Sequence, residues 1–125
     1  MNVVDSSGWL EYFADSRNAA FFEKPIEAVS ELIVPTVSVY EVFKKVLLER
    51  GESEALRAVG FMQLGRVVDL TSSIALSAAK ISTEIKMPMA DSIMLATSRE
   101  FGAVLWTQDS DFEGLEGVEY VGKRG

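Results

Sequence analysis

Short apolar runs alternate along the chain with longer segments in which apolar residues recur at helical spacing. The apolar runs have the length of buried strands, and turn-forming or helix-starting residues follow them. Strands of a parallel sheet are buried on both faces and therefore lack the alternating polar residues of half-exposed strands. The pattern predicts an α/β fold, a parallel sheet with helices on both faces. The predicted strands are Asn2–Val4, Leu32–Val34, Val67–Val68, Ala103–Trp106 and Glu119–Val121.

The segments between these strands carry the amphipathic patterns of helices. We expect Ser6–Gly8 to form a turn, and Pro25 to start a helix because proline is tolerated at the first helical position. With 125 residues, the chain has the length of one domain, which we expect to span 1–125. The first predicted helix begins at Trp9. The other predicted helices are Ile26–Val29, Val39–Arg50, Glu52–Leu64, Ile74 to near Met87, and Ala90–Phe101.

The composition narrows the chemistry, because the chain has no cysteine and no histidine. Zinc sites with the usual ligands, Cys-His pairs and Ser-His-Asp triads are therefore excluded. Carboxylates remain, with 19 Asp and Glu against 12 Lys and Arg. Sites made only of oxygen ligands prefer hard cations such as Mg²⁺, Mn²⁺ or Ca²⁺. If the chain is a hydrolase, it is expected to be a carboxylate-metal hydrolase.

Charge and targeting signals indicate where the protein acts. The segment Met1–Asp5 has no basic region and no apolar stretch of signal-peptide length. No apolar run approaches the ~18 to 20 residues that cross a bilayer. We therefore expect a cytoplasmic protein without membrane association. The formal net charge of −7 argues against holding nucleic acid by bulk electrostatics and suits a basic partner.

Acids that directly follow strands deserve attention, because ligands of open α/β sheets bind outside the carboxyl ends of the strands. Asp5, Asp69 and Asp109 hold such positions, with Asp111 just beyond. Helix capping or turn formation is the structural alternative for the first three. Asp91 stands in the first turn of an apolar helix, where the helix dipole alone favours a carboxylate by about 0.3 to 1 kcal/mol.

Two further acidic patterns have structural explanations. Ser38–Glu41 matches a capping box, and Glu41 with Lys45 forms a favourable i,i+4 pair, so the local pattern favours a structural role for Glu41. The segment Asp109–Gly114 resembles the opening of an EF-hand calcium loop. It departs from that loop at Tyr120, where a bidentate Glu is required.

Taken together, the acidic segments resemble those of a PIN domain, and they are most similar to the VapC-type toxins of toxin-antitoxin pairs. The matching segments cover essentially the whole chain in order. They are Val3–Ser7, Glu41 after the second strand, Ala90–Ala96 and Leu105–Phe112.

The resemblance implies a three-layer α/β/α sandwich and an Mg²⁺- or Mn²⁺-dependent ribonuclease. The family's acidic quartet is matched by residues that the resemblance implies to be catalytic: Asp5, Glu41, Asp91 and Asp109. Asp5, Asp91 and Asp109 would hold the metal, directly or through water, and Glu41 would orient or deprotonate the attacking water. Asp111 matches a less essential acid, and Thr107 matches a supporting hydroxyl.

The same resemblance implies an RNA substrate, a homodimer and a cognate antitoxin whose tail occupies a groove. An aromatic group could line that groove, although aromatic residues at helical spacing are usually buried in a core. The group consists of Trp9, Tyr12, Phe13, Phe21 and Phe22. Candidate phosphate contacts, which are otherwise solvated surface, are Lys44, Lys45, Lys86, Arg99 and Lys123–Arg124.

Two other classes of protein remain open at this stage. A phosphoacceptor receiver domain shares the length and the acidic pocket, but it requires paired acids after the first strand, where this chain has Asp5 followed by Ser6. A catalytically silent PIN-like interaction module would retain the acids only as helix caps. Metal binding without cleavage would identify such a module.

Overall fold

The computed structural model describes residues 1–123, which form a parallel sheet flanked by helices. The strands are β1 (Asn2–Val4), β2 (Leu32–Pro35), β3 (Arg66–Val68), β4 (Val104–Thr107) and β5 (Val118–Tyr120). The α-helices are α1 (Ser6–Phe13), α2 (Ala19–Glu27), α3 (Thr36–Arg50), α4 (Glu52–Met62), α5 (Ser72–Ile85) and α6 (Met89–Glu100). Single 3-10 turns cover Val29–Glu31 and Ser110–Phe112. The predicted α/β class and all the predicted strand positions are confirmed, within one or two residues.

The sheet has the order β3-β2-β1-β4-β5, and every pairing is parallel. The chain moves outward from β1 to β3 and then returns to β4 on the other side of β1. This order differs from the 2-1-3-4-5 order of receiver-type sheets. The reversal makes the carboxyl ends of β1 and β4 the topological switch point, where the connections on either side diverge and leave a crevice.

Two apolar clusters cover the two faces of the sheet, because successive side chains of a strand point to opposite faces. Val3 packs in the cluster formed with α5 and α6, and Val4 packs in the cluster formed with α1 to α4. On β2, Ile33 joins the first cluster while Leu32 and Val34 join the second. The predicted α/β/α sandwich is therefore present.

Two expectations about the first helices are wrong. Ser6–Gly8 is the first turn of α1 and not a separate turn, because Asp5 already takes the position before the helix and its carbonyl accepts from the backbone N–H of Gly8 and Trp9. Pro25 does not start a helix but lies within α2, where its ring is buried. Burial in the core outweighs the lost backbone hydrogen bond, and the residues after α2 form the 3-10 turn.

Among residues 1–123, the structure contains no helix that is both long enough and apolar enough to cross a membrane.

Candidate active site

The carboxyl ends of the two central strands bring acids together at the switch point. Asp5 directly follows β1, and its backbone N–H donates to the carbonyl of Trp106 on β4 at 2.9 Å. Asp109 lies two residues beyond β4. Asp5 is only 3% exposed, so its carboxylate is shielded from solvent.

A buried hydroxyl connects these two acids. Thr107 Oγ1 donates to Asp5 Oδ2 at 2.9 Å and accepts from the backbone N–H of Asp109 at 2.9 Å. Ser7 Oγ donates to the same Asp5 oxygen at 2.8 Å. Asp5 Oδ1 is therefore the oxygen that remains for a cation. Thr107, which the resemblance marks as a supporting hydroxyl, occupies a supporting position in the structure.

Three carboxylates converge above Asp5. Asp91, Asp109 and Asp111 each offer one oxygen, and these oxygens all lie within 4.8 Å of one another. Asp91 comes from the first turn of α6, where the helix dipole favours negative charge. Asp109 is oriented by accepting from the backbone N–H of Asp111 at 2.9 Å. Asp111, to which the resemblance assigns a lesser role, thus belongs to the close group, whereas Asp5 is not one of its members.

Glu41 reaches the crevice from α3. Its Oε1 accepts from Ser6 Oγ at 2.6 Å, which holds the carboxylate against the start of α1. The expected capping box is wrong, because α3 already begins at Thr36 and Ser38 donates to the carbonyl of Pro35. The expected pairing with Lys45 is also absent from the described ion pairs, since Lys45 contacts Glu49 at 3.1 Å.

The electrostatics of the crevice are unfavourable for so many negative charges. Burial, which contributes most, together with the charges of Asp5 and Asp109 and a hydrogen bond with Asp111, raises the pKa of Asp91 from its ordinary 3.8 to about 7. Burial also raises the pKa of Asp5, assisted by the charges of Asp109 and Glu41 and opposed by the hydrogen bonds from Ser7 and Thr107. The neighbouring acids therefore destabilise the ionised forms of Asp5 and Asp91.

This donor set fits a hard divalent cation. All five acids supply oxygen ligands, the type that Mg²⁺ and Mn²⁺ prefer. Neither of the ion pairs within residues 1–123, Lys45 with Glu49 and Arg57 with Glu54, includes one of them. Within the described part of the chain, no ion pair with a protein cation compensates the negative charge, and a bound metal ion would relieve the repulsion.

Replacing Asp91 by asparagine is expected to stabilise the metal-free protein at pH 8. Because the pKa of Asp91 is higher in the folded than in the unfolded chain, stability falls as pH rises from about 4 to about 7. Asp91 is only half-buried, so solvent screening limits the effect to about 1 to 2 kcal/mol. Thermal unfolding of both proteins in EDTA at pH 5 and pH 8 measures it. A helix-dipole role alone predicts the opposite sign, a loss of about 0.3 to 1 kcal/mol in the variant.

The remaining candidate residues lie elsewhere. Asp69 is exposed after β3, and Thr71 caps α5 by accepting from the backbone N–H of Ile74, as the helix-entry interpretation expects. The basic candidates within the described residues are exposed, and Arg124 lies outside those residues. Of the aromatic group, Trp9 and Phe22 are fully buried core residues.

The aromatic groove lies beside the crevice, between α1, α3 and α4. It encloses about 530 Å³, and its apolar lining includes Tyr12, Phe13 and Phe61. Phe61 was missed at the level of sequence, because only the packing of α4 brings it within 6 Å of Tyr12 and Phe13, at ring-centroid distances of 5.9 and 5.8 Å. Ser7 and Gln108 also line the groove, so the groove and the crevice share a wall.

The fold and this site define an α/β protein with an acidic, cation-poor crevice at the topological switch point. The family model for the PIN domain matches residues 3–118. The chain belongs to the PIN domain family, and the resemblance found in the sequence is confirmed. No curated protein sequence matches the chain significantly.

Several solved structures share the fold. A toxin-antitoxin complex from Klebsiella pneumoniae has 21% identity, a TM-score of 0.78, and coverage of 95% of this chain and 96% of that one. VapBC2 from Rickettsia felis, bound to a DNA fragment from its promoter, has 9% identity, a TM-score of 0.75, and coverage of 95% and 97%. VapC20 from Mycobacterium tuberculosis, a Sarcin-Ricin loop cleaving toxin, has 17% identity, a TM-score of 0.73, and coverage of 90% and 92%.

Proposed function

We propose that this protein is a metal-dependent endoribonuclease and the toxin of a toxin-antitoxin pair. The observation that carries the proposal is the group of acids at the switch point, three of them with oxygens within 4.8 Å of one another and none in an ion pair within residues 1–123. Membership of the PIN family and similarity to toxin structures support it. We place the whole activity in one domain that spans 1–125.

In this proposal, Asp5, Asp91 and Asp109 hold Mg²⁺ or Mn²⁺, directly or through water, and Asp111 adds a more exposed oxygen. A bound divalent cation would stabilise the negative charge that develops on the phosphoryl oxygens during hydrolysis and would acidify water. Asp5 is kept in one orientation by Ser7 and Thr107. In this orientation the Asp5 carboxylate would supply an oxygen ligand to the cation.

Glu41 is proposed to orient the attacking water and take its proton. Ser6 holds one of its oxygens at 2.6 Å, which leaves the other oxygen for the water. The water oxygen forms the new bond to phosphorus while its proton passes to the Glu41 carboxylate. The bond to the leaving ribose oxygen breaks, and that oxygen takes a proton from solvent water. No histidine is needed for this reaction. Cleavage of a mixed pool of structured RNA, measured with Mg²⁺, with Mn²⁺ and with EDTA, tests the proposal.

The aromatic groove is proposed to hold a segment of the antitoxin. The groove combines the apolar wall of Tyr12, Phe13 and Phe61 with charges of both signs at its rim, which suits an amphipathic helix. Its rim cations are Lys45, Arg50, Arg57 and Lys123, and its acids are Glu11, Glu49 and Glu54. Because Ser7 belongs to both the groove and the crevice, a helix bound here would reach the edge of the acidic cluster.

Replacing Phe61 by alanine is expected to weaken antitoxin binding by about 2 kcal/mol, roughly 30-fold, because central aromatic residues dominate interfaces of this kind. The measurement is a titration of both proteins with the cognate antitoxin, which is sought as a small protein encoded next to this chain. Leu56→Ala is the matched control, since Leu56 is an exposed apolar residue of the same helix outside the groove. Equal weakening by both variants would contradict the groove assignment.

The remaining parts of the proposal are a cytoplasmic location, absence of membrane association and a homodimer. Large apolar side chains that are exposed on the single chain support the homodimer, among them Leu48, Leu76 and Met89 at 77%, 70% and 76% exposure. Light scattering of the purified protein, with and without its antitoxin, measures the oligomeric state.

A further inference from the structure

A closed ring of polar side chains lies behind the acidic crevice. Asn18 Nδ2 donates to Gln108 Oε1 at 2.9 Å, and Gln108 Nε2 donates to Glu11 Oε1 at 3.2 Å. The other Glu11 oxygen accepts from the backbone N–H of Asn18 at 2.8 Å, which completes the ring. Asn18 Nδ2 also donates to the carbonyl of Gly122 at 3.1 Å. The ring therefore joins α1, the α1–α2 loop, the end of β4 and the segment after β5.

The two amide side chains of the ring are buried, and Glu11 is partly buried. Asn18 and Gln108 are 3% and 7% exposed, respectively. A buried amide without hydrogen-bond partners is destabilising, so Asn18 and Gln108 depend on the other members of the ring for their hydrogen bonds.

Gln108 places this ring one residue from the acidic cluster. Its predecessor Thr107 bonds to Asp5 and to the backbone of Asp109, and its successor is Asp109 itself. Gln108 also lines the groove, so the ring lies between the groove and the acidic cluster. With its side chain fixed at two points, the backbone that carries Asp109 has little freedom to move.

We propose that Glu11, Gln108 and Asn18 are positioning residues that hold the Asp109 carboxylate in the geometry required for binding the divalent cation. This inference rests on the proposed metal site. Partners that orient metal ligands typically change metal affinity or activity by about 10- to 100-fold when they are lost.

Because every donor of the ring faces an acceptor, exchanging one carboxylate oxygen for an amide NH₂ group, or the reverse, breaks a hydrogen bond of the ring. Glu11 accepts two N–H groups, one on each oxygen. A glutamine at this position offers one oxygen for two donors, so Glu11→Gln forces one pair of N–H groups to face each other. Gln108→Glu instead places a second carboxylate against Glu11. In the exchanged double variant, Glu11→Gln with Gln108→Glu, every donor again faces an acceptor. The amide at position 11 then donates to the carboxylate at position 108, the reverse of the wild-type hydrogen bond.

The experiment titrates the metal-free protein with Mn²⁺ alone at pH 8 and uses electron paramagnetic resonance to measure the dissociation constant of Mn²⁺. Each single variant is expected to raise the Mn²⁺ dissociation constant about tenfold, and the exchanged double variant to return within about threefold of the wild type. Glu23→Gln is the matched control, because Glu23 is an exposed acid of α2 that lies outside the ring, the groove and the acidic cluster. It is expected to bind Mn²⁺ like the wild type.

Thermal unfolding of each variant distinguishes positioning from stability alone. If a single variant does not fold, Gln108→Leu removes the hydrogen-bonding groups at similar volume, with the same tenfold expectation. Lower unfolding temperatures with an unchanged Mn²⁺ dissociation constant would overturn the inference, as would a folded double variant that binds no better than the single ones. If the wild type binds Mn²⁺ and the single variants bind it equally tightly, the inference is refuted and the proposed function is not. A wild type that neither binds Mn²⁺ nor cleaves RNA refutes it together with the proposed function.

Discussion

Asp91→Asn is expected to lower metal-dependent RNA cleavage by at least about 100-fold while the protein stays folded. Asp91 shares the close oxygen cluster with Asp109 and Asp111, and its ionised form repels them unless a cation is present. A metal ion at such a site contributes several kcal/mol to stabilising the transition state, and each 1.36 kcal/mol corresponds to about tenfold in rate. Asparagine keeps the shape but provides a weaker, neutral ligand.

Initial rates on a mixed pool of structured RNA measure this effect, with Mg²⁺ and Mn²⁺ and with an EDTA control. Asp69→Asn is the matched variant, because Asp69 also follows a parallel strand but is exposed and outside the cluster. It should cleave like the wild type. If the wild type and Asp91→Asn are equally inactive and bind the antitoxin equally well, Asp91 is a helix-entry acid. The protein is then a catalytically silent interaction module.

Metal affinity is expected to rise by about a hundredfold between pH 5 and pH 8. The pKa of Asp91 is raised to about 7 in the folded protein, first by burial and then by its acidic neighbours. Below that pH a proton competes with the cation for the carboxylate, so affinity falls about tenfold for each further pH unit. Binding at pH 6 should therefore release about one proton.

Isothermal titration with Mn²⁺ in two buffers of different ionisation enthalpy measures both the affinity and the released proton. Asp91→Asn removes the titrating group, and its weaker binding should depend much less on pH over this range. An affinity that stays constant from pH 5 to pH 8, without proton release, would be incompatible with Asp91 as the ligand that the cation deprotonates.

The sequence by itself determined the fold class and the position of most strands and helices. Apolar runs such as Leu32–Val34 and helical periodicity such as that of Ala90–Phe101 are local patterns. A strand or helix must bury an apolar face whichever neighbour it packs against, so these patterns can be read without the tertiary structure. The placement of Asp5 and Asp109 also follows from the sequence, since both come just after strands that a parallel sheet aligns at one edge. Local preference failed at Pro25, where packing of α2 into the core overrides the helix-starting tendency of proline.

Tertiary packing alone determined the contacts between distant segments. Ser6 with Glu41, Asn18 with Gln108, and Phe61 with the aromatic side chains of α1 join residues far apart in the chain. The local pattern around Glu41 favours a capping role, and nothing local marks Glu11 or Gln108. Periodicity reports which face of an element is buried but not which neighbour it meets. The order of the sheet and the crossing of α1, α3 and α4 decide those neighbours, and with them the crevice, the groove and the ring between them.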